Sequence, residues 1–211
     1  MFTNIRKFSA VVVTSGAALA LLSACGGTDS ASMGGHDMST MSSSAPAATA
    51  ASAQPSATFN DADVMFAQMM IPHHQQAVEM AELADTRASD KEIKDLAAKI
   101  KAAQDPEIQT MQGWLTAWGK PMPSGGTDHG MGHDMLGMMS EEDMKKLADA
   151  KGAAFDKQFA QLMIAHHNGA IEMARTEQSQ GSNPEAKDLA KTIEAAQQAE
   201  VEQMRKILKR L

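Results

Sequence analysis

The sequence predicts an all-α protein, a four-helix bundle made of two duplicated helical hairpins, and three observations carry that prediction. First, adding 93 to a position in the first half lands on its counterpart in the second, with no gap. Asp63 maps to Asp156, Phe66 to Phe159, His73-His74 to His166-His167, Met80-Ala81 to Met173-Ala174, and Met111 to Met204. Second, strand signals are absent: there is no Tyr, β-branched residues are scattered, and Ala, Met, Gln, Glu and Lys dominate both repeats. Third, each repeat carries a helix-start signal in its middle, Ser89 with Glu92 and then Ser182 with Glu185, which reads as a capping box.

The elements follow in order. Residues 1–24 have a short basic start (Arg6, Lys7), an apolar run and small residues, the layout of a secretory signal. Leu22-Ser23-Ala24-Cys25 resembles a lipobox, so Cys25 is the expected lipidation site and the membrane an expected partner through an N-terminal lipid anchor. Cys25 is also the only cysteine, which rules out an intramolecular disulfide. Residues 25–58 are Ser, Ala, Thr, Gly and Pro with almost no large apolar side chain, and read as a disordered tether. Residues 59–211 form the duplicated domain: repeat one 59–118, a Met/His/Gly-rich connection 119–139, and repeat two 140–211. Gly181 separates the two helices of the second hairpin, and Ser140 is placed to cap a short extra helix over "EEDMKKLADA". Pro72 and Pro106 stand where the second copy has Ala165 and Ala199. Each is expected to kink its helix, so the first copy should be less regular beside its histidines.

Charge narrows the partners. The net charge of −7 becomes −9 once Arg6 and Lys7 are removed, and no basic cluster remains, which argues against nucleic acid.

The seven histidines carry the chemistry. At about 100° per residue, Phe66, Met69, Met70, Ala77 and Met80 fall within roughly 60° of His73. Phe159, Leu162, Met163, Ala170 and Met173 surround His166 likewise. Both histidines should therefore face the interior, with His74 and His167 turned away from that centre. A methionine stripe at this spacing is ordinary core. Four histidines on two related apolar faces are a costly core unless something uses them, and metal ligation is the use expected. Glu79 and Glu172 project elsewhere and are read as surface residues. Gln104, Glu107 and Met111, with Gln197, Glu200 and Met204, share a face able to meet the histidine helices. His129, Met131, His133, Met135, Met138 and Met139 lie in the Gly-rich connection, where packing does not explain them. Thioether and imidazole together suit Cu(I), with Ag(I) as an alternative guest.

Enzymatic readings find little apparatus. A carboxylate-bridged di-iron centre needs Glu-x-x-His, which does not occur, and there is no His-Glu-x-x-His for zinc. No nucleophilic triad is recognisable, so the chain is not expected to be an enzyme. Two alternatives stay open: a helical interaction module with structural histidines, and a copper-dependent oxidase.

"DVMFAQMMIPHHQQAVEMA" and "DKQFAQLMIAHHNGAIEMA", with "IKAAQDPEIQTMQGWL" downstream, resemble the domain-of-unknown-function 305 family over the whole of 59–211. The resemblance implies a ferritin-like bundle, usually exported. Some members are periplasmic copper-binding proteins that contribute to copper resistance. Carried onto matching positions it marks His73, His74, Met80, His166, His167 and Met173 as ligands. The resulting expectation is an extracytoplasmic protein that sequesters Cu(I) or passes it to a copper-handling partner protein.

Overall fold

The computed structural model describes residues 58–123 and 136–211. The signal, Cys25, the tether, and His129, Met131, His133 and Met135 lie outside the described residues. Among the described residues there are five helices and no strand: α1 (Asp61–Arg87), α2 (Lys91–Ala117), α3 (Glu141–Asp149), α4 (Ala153–Gln180) and α5 (Pro184–Leu208). None is long and apolar enough to cross a membrane. α1 packs on α2, α4 packs on α5, and α1 and α4 form the main seam between the hairpins.

The helix starts differ from the expectation in an informative way. Asp90, not Ser89, caps α2, its carboxylate accepting from the N–H groups of Glu92 and Ile93. Asn183, not Ser182, caps α5, accepting from Ala186 N–H ahead of Pro184. The two serines are engaged across the seam. Asp156 on α4 accepts from the N–H of Ser89 and Asp90 and from the Ser89 hydroxyl. Asp63 on α1 accepts from the N–H of Ser182 and Asn183, and also from Asn60. Each buried aspartate thus ties down the turn of the opposite hairpin, and a carboxylate accepting several N–H groups is a strong anchor. The expected box does occur at α1, between Asn60 and Asp63. Ser140 caps α3 as predicted, accepting from Asp143 N–H.

Pro72 and Pro106 interrupt neither helix. Each removes one backbone donor, but Pro106 and Ala102 are exposed and Pro72 and Gln68 are half-buried, so water can reach the freed carbonyls.

The core falls into two clusters that exchange under the 93-residue repeat. One holds Met80, Met163, Phe159, Ile100 and Met204. The other holds Met173, Met70, Phe66, Ile193 and Met111. Each draws on both hairpins, because α1 and α4 run antiparallel: Met80 lies with Phe159 and Met163, and Phe66 and Met70 with Met173. The histidines occupy the layer between them in sequence.

Candidate metal centre

All four repeat histidines are fully buried. One ring of each pair meets its counterpart: His73 and His166 lie with centroids 3.7 Å apart at an interplanar angle of 39°. The other ring of each pair turns toward the second helix of its own hairpin. His74 Nε2 lies 2.8 Å from Glu107 Oε2, and His167 Nε2 lies 2.7 Å from Glu200 Oε2. The division of labour expected from helical angles is therefore observed, and Glu107 and Glu200 reach the histidine helices. Glu79 and Glu172 are exposed.

These partners decide where the lone pairs are. A carboxylate or carbonyl only accepts, so His74 and His167 donate from Nε2. His73 donates from Nε2 to the Leu136 carbonyl at 3.1 Å. In a neutral ring that leaves Nδ1 as a lone pair. Among the described residues the Nδ1 atoms of His73, His74 and His167 have no hydrogen-bond partner, and neither nitrogen of His166 has one. Gln104 and Gln197, buried on the facing helices, leave their Oε1 atoms unpaired as well. The interior thus holds four imidazole lone pairs, one on each ring, and two amide oxygens with no donor on them, an acceptor-rich layer that suits a cation. Burial, and then the neighbouring His74, hold the His73 imidazole down to about 3. Burial, and then His73, hold His166 well below its ordinary range. Both rings therefore stay neutral, the form that ligates a metal.

The end of the connection closes over this layer. Gly137 adopts φ 81°, and a Cβ on it would lie 2.7 Å from the Ala165 carbonyl oxygen. A Cβ on Gly169 would lie 1.9 Å from the Leu136 oxygen, so only glycine admits the strap. Gln76, the repeat counterpart of Gly169, receives the Met139 N–H at 2.7 Å and donates to the Met139 carbonyl at 2.9 Å. The strap contradicts the expectation that packing does not explain the connection: Met139 is partly buried against the apolar cluster containing Met80. Met138 beside it is half-buried.

The other predicted methionines divide. Met80 and Met163 belong to one cluster, Met70 and Met173 to the other, with Met69 partly buried against the latter. Among the described residues no three His, Cys, Asp or Glu side chains converge on a metal-sized position. From the described residues an ion held here would draw on two imidazoles at most, together with amide oxygen or thioether, a donor set that soft ions accept.

The sequence reading missed Glu177, the counterpart of Ala84. It is buried, and its carboxyl lies alongside that of Asp63. Burial, and then Asp63, push Glu177 up to about 8. For Asp63 burial works the other way, but its N–H donors outweigh it and the group is lowered. The available signal was a charged residue where the repeat has alanine. Gln76 opposite Gly169 was a second such mismatch.

The profile of the domain of unknown function DUF305 matches residues 63–208. A DUF305 protein from Streptomyces coelicolor, described as secreted, is 35% identical, with 71% of this chain and 91% of that chain covered and a TM-score of 0.64. A DUF305 fragment from Deinococcus radiodurans is 30% identical, with 72% and 98% covered and a TM-score of 0.65. CopM in its Cu(II)-bound form is 35% identical, with 70% and 96% covered and a TM-score of 0.61. CopM is also known in Cu(I)-bound and Ag-bound forms. No match was found among curated proteins. On the extent of the profile match and the identity to its solved members, the chain belongs to the DUF305 family.

Proposed function

We propose that this protein is an extracytoplasmic copper-binding protein that sequesters or transfers Cu(I) through His and Met side chains, without a catalytic role. The observation that carries this reading is the buried histidine layer, in which a lone pair on each ring and two amide oxygens have no hydrogen-bond partner among the described residues. An unpaired buried polar group costs about 1–3 kcal/mol, so a purely structural layer would be a heavy burden on a small domain. A bound soft cation relieves it. The copper and silver forms of CopM support the choice of ion. The four long helices are proposed to make a ferritin-like four-helix bundle. The signal layout and Cys25 support export and lipid anchoring, and the secreted Streptomyces coelicolor relative agrees with export.

The test is competition of the apo-protein with a Cu(I) chelator, read by native mass spectrometry. The wild type should take up Cu(I), and His73→Gln with His166→Gln should weaken uptake at least tenfold. A protein that takes up no copper at micromolar free metal ends the proposal. Unchanged binding in the double variant would instead return the histidines to a structural role.

A further inference from the structure

We propose that Met65, Met69 and Met173 form a thioether site for a monovalent soft cation, Cu(I) or Ag(I), separate from the imidazole layer. It deepens the copper-binding reading and rests on it for the class of ion. A groove of about 170 Å³ opens between α1 and α4, lined by Met65, Phe66, Met69, Leu136, Met173, Thr176 and Glu177. Three of the seven lining residues are methionines. Met65 and Met69 are one helical turn apart on α1 and share a face. Met173 comes from the antiparallel helix opposite.

The exposure of Met65 is the first sign of use. It is 59% exposed, although it stands on the helix that supplies the core. A flexible thioether in solvent at the mouth of an apolar groove is free to close on an ion. Met69 is half-buried and Met173 is 7% exposed, so the three sulfurs run from the surface to the core. Second, the groove contains one carboxyl. Glu177 is 1% exposed, and its raised, protonated carboxyl shares a hydrogen bond with the Asp63 carboxylate. The Glu177–Asp63 pair holds one negative charge beside the groove, because Glu177 is raised and Asp63 lowered; neutral thioethers holding a monovalent cation gain from that charge.

Third, the repeat shows that these residues are not required by the framework. The positions matching Met65, Met69, Thr176 and Glu177 are Gln158, Leu162, Leu83 and Ala84. Only Met173 has a methionine counterpart, Met80, and Met80 is fully buried. The helical scaffold is satisfied without the thioether set, so packing alone does not call for it. Soft ions favour sulfur, whereas zinc, magnesium or calcium would want imidazole, thiolate or several oxygens, which the groove does not offer. Leu136 joins this groove to the histidine layer: its side lines the groove and its carbonyl accepts from His73.

The test is an Ag(I) titration of the full chain carrying 13C-methyl methionine, followed by NMR together with the histidine ring resonances. Silver is redox-inert, so the readout reports binding alone. The methyl signals of Met65, Met69 and Met173 should shift together and saturate at one equivalent. In Met65→Leu with Met69→Leu, which keeps volume and apolarity, the Met173 shift should be lost or need at least tenfold more silver. The His73 and His166 signals should still respond. If silver moves other methionines or the histidines but leaves Met65 and Met69 unmoved, the groove site is wrong and the copper reading stands. If silver moves no methyl or ring signal, the copper reading fails and this site with it.

Discussion

The two apolar clusters are built from matching residues, yet they are covered differently. Around Met80 and Met163 the strap brings Met139, and α3 brings Leu147 and Met144, over a core that stacks Phe155 on Phe159 at 5.7 Å. Around Met173 and Met70 the cover is Phe59, stacked on Trp118 at 4.8 Å, and it leaves the groove beside Met65. The difference teaches that duplication supplied a symmetric frame and the connection broke it. The inserted segment seals one end, while the matching positions at the other end became methionine, threonine and glutamate.

The largest expected effect separates the two ends directly. Phe159→Ala should cost about 4 kcal/mol and Phe66→Ala, beside the open groove, nearer about 3 kcal/mol, as read by denaturant unfolding. Equal or reversed costs would mean that the groove does not relax and that the two ends are equivalent. Next comes the strap. Gly169→Ala places a methyl against the Leu136 backbone, and it should cost about 2 kcal/mol and speed hydrogen exchange at Met139. The matching change on the other hairpin, Gln76→Ala, removes only the two bonds to Met139 and should cost about 1–2 kcal/mol.

Acidity gives the third comparison. Glu177 is raised to about 8 from 4.5, so the folded state favours its neutral form. Its contribution is complete below the ordinary value and is lost as pH rises through about 8. Glu177→Gln should lose less stability than wild type between about pH 5 and about pH 9, by about 1–2 kcal/mol. Parallel pH profiles would show that Glu177 is solvated. The smallest effect tests the exposed residue: Met65→Gln, which installs its repeat counterpart, should change stability by less than about 0.5 kcal/mol. A larger loss would make Met65 a packing residue and undercut its assignment to a metal.

Much of this was legible in the chain. The gapless repeat and helical periodicity identify Phe66, Met70 and Met80, with their partners, as buried, because a duplicated helix must bury the same face twice. Helical angles also separate His73 from His74. What was not legible depends on which groups meet in space. Ser89 and Glu92 have the spacing of a capping box, but Asp156 from the other hairpin takes the serine, and a buried carboxylate accepting several donors outweighs a local cap. The strap was unreadable for a similar reason: a Gly-rich stretch has no periodicity, and its fixed place depends on Gly169 and Gln76, more than 25 residues away in either direction.

The sequence by itself therefore determined the helices, the twofold plan and the buried histidines, since periodicity and repetition are properties of one chain read in order. Only the tertiary structure decided which nitrogens keep free lone pairs, that Glu177 lies beside Asp63, and that three methionines line one groove. Those depend on the distance between helices that share no local sequence, and a lone pair is free or satisfied according to what packing brings within reach.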